Sequence, residues 1–125
     1  MSPVDIAPEI ARVLDVKATL ENLGGDPELL REILDYFLEM APQQLDDLQA
    51  AVTARDVAAV DLQAHSMKGG SANVGAVQLS ATARELEMLA KTGSLEGSEQ
   101  LVAAMREELQ ALQQAVAQVD WTTLA

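Results

Sequence analysis

The sequence predicts an all-α protein: an antiparallel four-helix bundle, running up-down-up-down, with a short additional N-terminal helix. Three observations predict it. Apolar residues recur at alternating three- and four-residue spacing through four long segments. Alanine, leucine, glutamine and glutamate, all strong helix formers, dominate, while aromatics are only 2% of the 125 residues and no alternating β-branched run occurs. Short stretches of cap and turn residues part the segments, and short connections make long helices antiparallel neighbours.

The elements follow in order. Residues 1–14 read as an N-terminal extension and 15–120 as the bundle domain, with room for one core. Pro3 and Pro8 interrupt any long helix near the start, and Pro8-Glu9-Ile10 is a possible opening of a short one. Asp15 to Leu23 reads as a modest first helix with Val16, Leu20 and Leu23 on one side, stopped by Gly24-Gly25. Asp26-Pro27-Glu28 then combines an N-cap, a proline at the first helical position and an acid at the positive end of the dipole. The stripe Leu30, Ile33, Leu34, Phe37, Ala41, Leu45, Leu48 and Val52 follows. Pro42 lies inside it, so a kink or a break is expected there; the stripe stays in phase, which favours the kink.

Thr53-Ala54-Arg55 is a turn and Asp56 a cap for the third helix, which runs to about Asn73. Its apolar or small positions are Val57, Val60, Ala64, Met67, Ser71 and Val74. Gly75 is suited to a left-handed turn. The fourth helix, with Ala76, Leu79, Ala83, Leu86 and Ala90, starts at once and forms a hairpin with the third. Thr92-Gly93-Ser94 ends it, and the loop extends as far as Gly97-Ser98. The last helix, to about Gln118, carries Leu101, Met105, Leu109, Leu112, Val116 and Val119, with Trp121 placed to tack the tail onto the bundle.

Composition excludes several functions. Twenty acidic against eight basic residues, a net charge of −12, disfavour nucleic acid and anionic membrane surfaces as partners. No apolar run approaches the roughly 18 residues of a membrane span. Met1-Ser2-Pro3-Val4-Asp5 has no basic region before an apolar stretch, so no secretory signal is expected and a cytoplasmic location is. The absence of cysteine removes disulfides, thiol catalysis and thiolate metal sites.

One stretch breaks the helical rules. The only histidine, His65, is followed by Lys68 and then Gly69-Gly70 within a helix. Two interior glycines would cost about 2 kcal/mol relative to alanine. On a helical wheel His65 lies about 130° from the centre of the core stripe, so it faces outward. Ala58, Asp61, Leu62, Lys68, Gly69 and Ala72, at three-, four- or seven-residue spacing, surround it. Lys68 supplies a cation, Gly69 removes bulk, and Ala58, Leu62 and Ala72 form a shallow apolar collar. No strained elbow presents Ser66 or Ser71 as a hydrolase nucleophile. No second histidine or Glu-x-x-His pair completes a metal site, and no Gly-x-x-x-x-Gly-Lys loop makes an ATP site. An exposed imidazole that carries a covalent group received from another protein is what remains.

His65-Ser66-Met67-Lys68-Gly69, followed by Val74-Gly75-Ala76, resembles the signature of histidine-containing phosphotransfer (HPt) domains. Leu23-Gly24-Gly25-Asp26, Phe37-Leu38, Arg55-Asp56 and Leu86-Glu87 follow the family pattern in the family order. Gly70 departs mildly from it, where serine or alanine is more usual. The resemblance implies a phosphorelay intermediate, a phosphocarrier without an ATP site of its own. His65 would accept a phosphoryl group on an imidazole nitrogen from a receiver-domain aspartate or a kinase and pass it to another receiver. Lys68 would offset the charge and Gly69 would give access. Glu87, opposite His65 if the hairpin turns at Gly75, would orient or flank the imidazole with Lys91; a solvated charge is the competing reading of Glu87. Ala58, Asp61, Leu62 and Ala72 would meet the receiver. No cofactor or metal is expected on this chain; Mg²⁺ is expected on the receiver. The partners implied are response-regulator receivers and a sensor or hybrid histidine kinase, with this chain a monomer. Two alternatives stand beside this: a docking module that works without phosphorylation, and the substrate domain of a chemotaxis-type kinase.

Overall fold

The computed structural model describes residues 8–122; Pro3 and the rest of the first seven residues lie outside them. Six helices follow one another: α1 (Pro8–Ala11), α2 (Val16–Asn22), α3 (Pro27–Thr53), α4 (Val57–Asn73), α5 (Val77–Lys91) and α6 (Ser98–Gln118). The four long ones, α3 to α6, form the bundle. α3 packs on α4, α4 on α5, α5 on α6, and α6 closes the ring on α3. Two short helices precede them, α1 at the possible opening at Pro8 and α2 within the stretch from Asp15 to Leu23.

Aspartates start three of the helices. The carboxylates of Asp15, Asp26 and Asp56 each accept a bond from an amide in the first turn, at Ala18, at Glu28 and Leu29, and at Ala59. Pro27 sits in the first turn of α3, where its missing donor costs nothing. α3 continues through Pro42 as one helix. The core takes Leu30, Leu34, Phe37, Ala41, Leu45 and Leu48 from α3, and Val60, Ala64 and Met67 from α4. From α5 it takes Leu79, Ala83, Leu86 and Ala90. On α6 the stripe is rotated slightly from expectation: Val102 and Ala115 are buried, while Leu101 and Val116 lie at its half-buried margin. Ile10 and Leu14 are buried in the same core. Trp121 packs against its edge and donates its indole N–H to the Val116 carbonyl at 3.3 Å.

The α4–α5 turn sets the register of the hairpin. Gly75 has φ +79°, and a Cβ there would collide with Thr19 Oγ1 and stand 2.9 Å from the Asp15 carbonyl. That close approach comes from α2, whose capping residue donates its amide to the Gly75 carbonyl at 2.8 Å. Gly75→Ala should therefore combine left-handed strain with a clash and destabilise the protein by about 2 kcal/mol. Urea unfolding checks this, and an unchanged midpoint would contradict it.

Candidate functional site

His65 stands in the middle of α4 with its side chain 64% exposed. The helix is held firmly there despite its two glycines. The Lys68 carbonyl accepts the hydroxyls of both Ser71, on α4, and Ser80, on α5, each at 3.2 Å. Ser71 also donates to the Met67 carbonyl at 2.6 Å. Ser80 thus ties α5 to α4 one residue before the glycine pair. The two glycines differ. A Cβ on Gly70 would rest in ordinary contact with Phe37 Cε1 at 3.6 Å, whereas one on Gly69 would meet nothing within 4 Å. Gly70 belongs to the α3 contact, and Gly69 faces open solvent beside His65.

Behind the imidazole lies Glu87. Its side chain is only 6% exposed, and its two oxygens are shared between partners. Oε2 is 2.5 Å from His65 Nδ1, and Oε1 accepts from Lys68 Nζ at 2.7 Å. Lys91, one turn along α5, bonds Asp61 Oδ1 at 2.8 Å and reaches Glu87 Oε2 at 3.5 Å. The Lys68 hydrogen bond, reinforced by the bond to His65 and the charges of Lys68 and Lys91, outweighs burial and lowers the Glu87 pKa to about 2. The Asp61 bond likewise raises Lys91, against the effect of burial.

These facts determine a tautomer. An ionised carboxylate can only accept, so the proton between Glu87 and the ring belongs to Nδ1. In the neutral ring that leaves the lone pair on Nε2, on the opposite edge. The arrangement is an outward nucleophilic nitrogen, with its other nitrogen anchored from behind and two ammonium groups at its base. In a chain of net charge −12, two of the eight basic residues gather here.

Of the residues singled out in the sequence, His65, Lys68, Glu87, Lys91 and Asp61 form one connected network. Ala58, Leu62, Gly69 and Ala72 are exposed on the same helix, Leu62 at 71%. Glu87 is a buried, bonded group and not a solvated charge. The sequence reading missed Ser80. It also missed a second apolar row on α3, Leu29, Tyr36 and Met40, although their helical spacing and the single tyrosine were a signal. Among the described residues every exposed large apolar side chain (these three with Leu62, Val77 and Met88) lies on α3, α4 or α5, and none on α6.

Among the described residues, His65 lines neither of two surface clefts. The larger one, about 560 Å³, lies between the α3–α4 turn and the start of α6, beside Arg55 and Ser94. A nucleophile 64% exposed on a helix surface, outside these two clefts, suits a macromolecular partner better than a small substrate. Among the described residues no group of three or more histidine, cysteine, aspartate or glutamate side chains is placed to hold a metal ion, and no helix is long and apolar enough to cross a membrane.

Comparison with known proteins points the same way. A family model described as "Hpt domain" matches residues 32–115. The crystal structure of histidine-containing phosphotransfer protein B from Pseudomonas aeruginosa superposes with a TM-score of 0.79 at 32% identity, covering 86% of this chain and 94% of that one. The phosphorelay intermediate protein rdeA of Dictyostelium discoideum is 24% identical over 103 residues, which is 82% of this chain and 41% of that protein. The chain thus spans about two fifths of the length of this curated relative.

Proposed function

This chain belongs to the Hpt domain family, and from that premise we propose that it is a phosphorelay intermediate in two-component signalling with His65 as its phosphoacceptor. One observation carries the assignment: the exposed imidazole is anchored through Nδ1 to a buried, ionised Glu87, which supports Nε2 as the nucleophile.

The Nε2 lone pair attacks the phosphorus of a receiver's phosphoaspartate. The N–P bond forms as the P–O bond breaks, and the aspartate leaves as a carboxylate. The Nδ1 proton stays in place, so the ring becomes a phosphoimidazolium whose positive charge Glu87 faces. No proton has to move, and the reverse attack by a second receiver's aspartate discharges the ring by the same path. Lys68 stands at the base of the ring to offset the phosphoryl charge. We assign the Mg²⁺ ion to the receiver. The receiver would dock on the His65 face of α4, at Ala58, Asp61, Leu62 and Ala72, with exposed apolar side chains of α3 and α5 available to extend the contact.

Incubation with a receiver domain labelled on its aspartate tests the proposal. Label should appear on this chain that acid destroys and base spares; a chain that takes none sinks it. Gly69 gives a second check. With open space around it, Gly69→Ala should stabilise the helix by up to about 1 kcal/mol while slowing transfer, because the added methyl stands where the partner must close. Thermal unfolding and transfer rates should move in opposite directions, and a variant that transfers faster would remove the steric argument.

A further inference from the structure

Glu87 has two ammonium groups within reach and holds them unequally. Lys68 bonds it at 2.7 Å, while Lys91, on the same helix as Glu87, stands 3.5 Å from Oε2 and spends its short bond on Asp61. The two carboxylates differ in what they can do without. Glu87 is 6% exposed, so water cannot take the place of a departing lysine there, whereas Asp61 is 35% exposed and water can.

We propose that Lys91 is a positioning residue that takes over Glu87 when His65 is phosphorylated, releasing Lys68 to the phosphoryl group. The inference rests on His65 being the phosphoacceptor. A phosphoryl group on Nε2 occupies the ring edge turned away from Glu87, and Lys68 lengthens its bond to Oε1 in reaching it. Lys91 closes its remaining gap to Glu87 by side-chain rotation alone, since the two residues are one helical turn apart. Asp61 is left to solvent. No covalent bond changes in this exchange. The close pairs at rest, Lys68–Glu87 and Lys91–Asp61, give way to Lys68–phosphoryl and a tightened Lys91–Glu87, which at rest is held only at 3.5 Å. Lys91 therefore acts on the phosphorylated state through Lys68 and not by touching the phosphoryl group.

The test is the equilibrium division of label between a receiver aspartate and His65. Docking speeds both directions alike, so this division reports the stability of the phosphorylated states and not the encounter. The full chain is compared with Lys68→Gln, Lys91→Gln, the double variant and Lys91→Arg. Lys91→Gln should shift the label toward the receiver by about three- to tenfold, within the range of coupling between charged neighbours. Lys91→Arg should restore most of it. The double variant should be no worse than Lys68→Gln alone, because without Lys68 there is nothing for Lys91 to release. Multiplying effects in the double variant, or an unshifted division in Lys91→Gln, would overturn the exchange. Thermal melts of each variant check folding: Lys91→Gln, at a 57% exposed lysine, should hardly move the midpoint, while Lys68→Gln should lower it without unfolding the bundle, because Glu87 loses its nearest cation. A wild-type chain that takes no label would sink the phosphoacceptor reading and the exchange with it. A labelled wild type with multiplying variants sinks the exchange alone.

Discussion

His65→Gln should accept no acid-labile phosphoryl group from a labelled receiver, a loss limited only by detection. The chain has one histidine, so no second imidazole can substitute. The side chain is 64% exposed, and what it gives up is its bond to Glu87, so the change in stability should stay within about 2 kcal/mol, the worth of one hydrogen bond to a charged group. Circular dichroism and a thermal melt establish that the variant is folded, and retained binding to the receiver establishes that the docking face is intact. Label that still arrives in the folded variant would remove His65 from the reaction. The same experiment separates the alternatives. A docking module that works without phosphorylation binds the receiver equally well in both forms, with neither labelled. A kinase substrate domain takes label from an ATP-charged kinase and loses it in the variant.

Much of this was legible in the residues, for a reason that also explains the rest. Helix period is a local property, so α3 to α6 could be read from their stripes, and the Asp15, Asp26 and Asp56 caps from single residues. The outward direction of His65 followed from the wheel alone. Counting from the turn at Gly75 brought Glu87 opposite His65, because a tight hairpin fixes register. Its burial was not readable. On α5, Glu87 lies beside Leu86 at the margin of the core stripe, and whether a margin is covered depends on how closely the neighbouring helix approaches. α4 presents Ala64 and Ser71 to the core and receives a bond from Ser80 of α5, and these small side chains suit a close approach. The rotation of the α6 stripe toward Val102 and Ala115 has the same origin, as both depend on packing between helices. The tautomer of His65 required a distance, which no spacing rule supplies. The row of Leu29, Tyr36 and Met40 was visible as a periodicity, but a second stripe on an already amphipathic helix reads as core until the partner helices are placed.

Glu87→Ala should slow phosphoryl transfer to His65 by about 100-fold, comparable to the loss when the carboxylate behind a metal-bound histidine is removed. Two contributions disappear together. Without an acceptor at Nδ1 the neutral ring is free to carry its proton on Nε2, where the nitrogen is no nucleophile. Lys68 also loses the carboxylate that it bonds at 2.7 Å and that it shares with the ring. Glu87→Gln separates the two. Its amide oxygen can still accept from Nδ1–H, but it holds no ammonium, so its transfer rate should lie between those of the wild type and Glu87→Ala. Equal rates for all three would show that Glu87 has no part in positioning the ring. The charge has a signature in stability as well. The pKa of Glu87 falls from an ordinary 4.5 to about 2 in the folded chain, chiefly through the Lys68 hydrogen bond. A depressed folded-state pKa means that the unfolded chain binds the proton more readily. The stabilisation is therefore complete above about 4.5 and is lost as pH falls from there toward about 2. The stability gap between wild type and Glu87→Gln should be widest at neutral pH and close across that acid window in denaturant titrations. A gap that stays constant from neutral pH to pH 2 would mean that the carboxylate contributes through its shape and not its charge, and the ion-paired anchor for His65 would then be wrong.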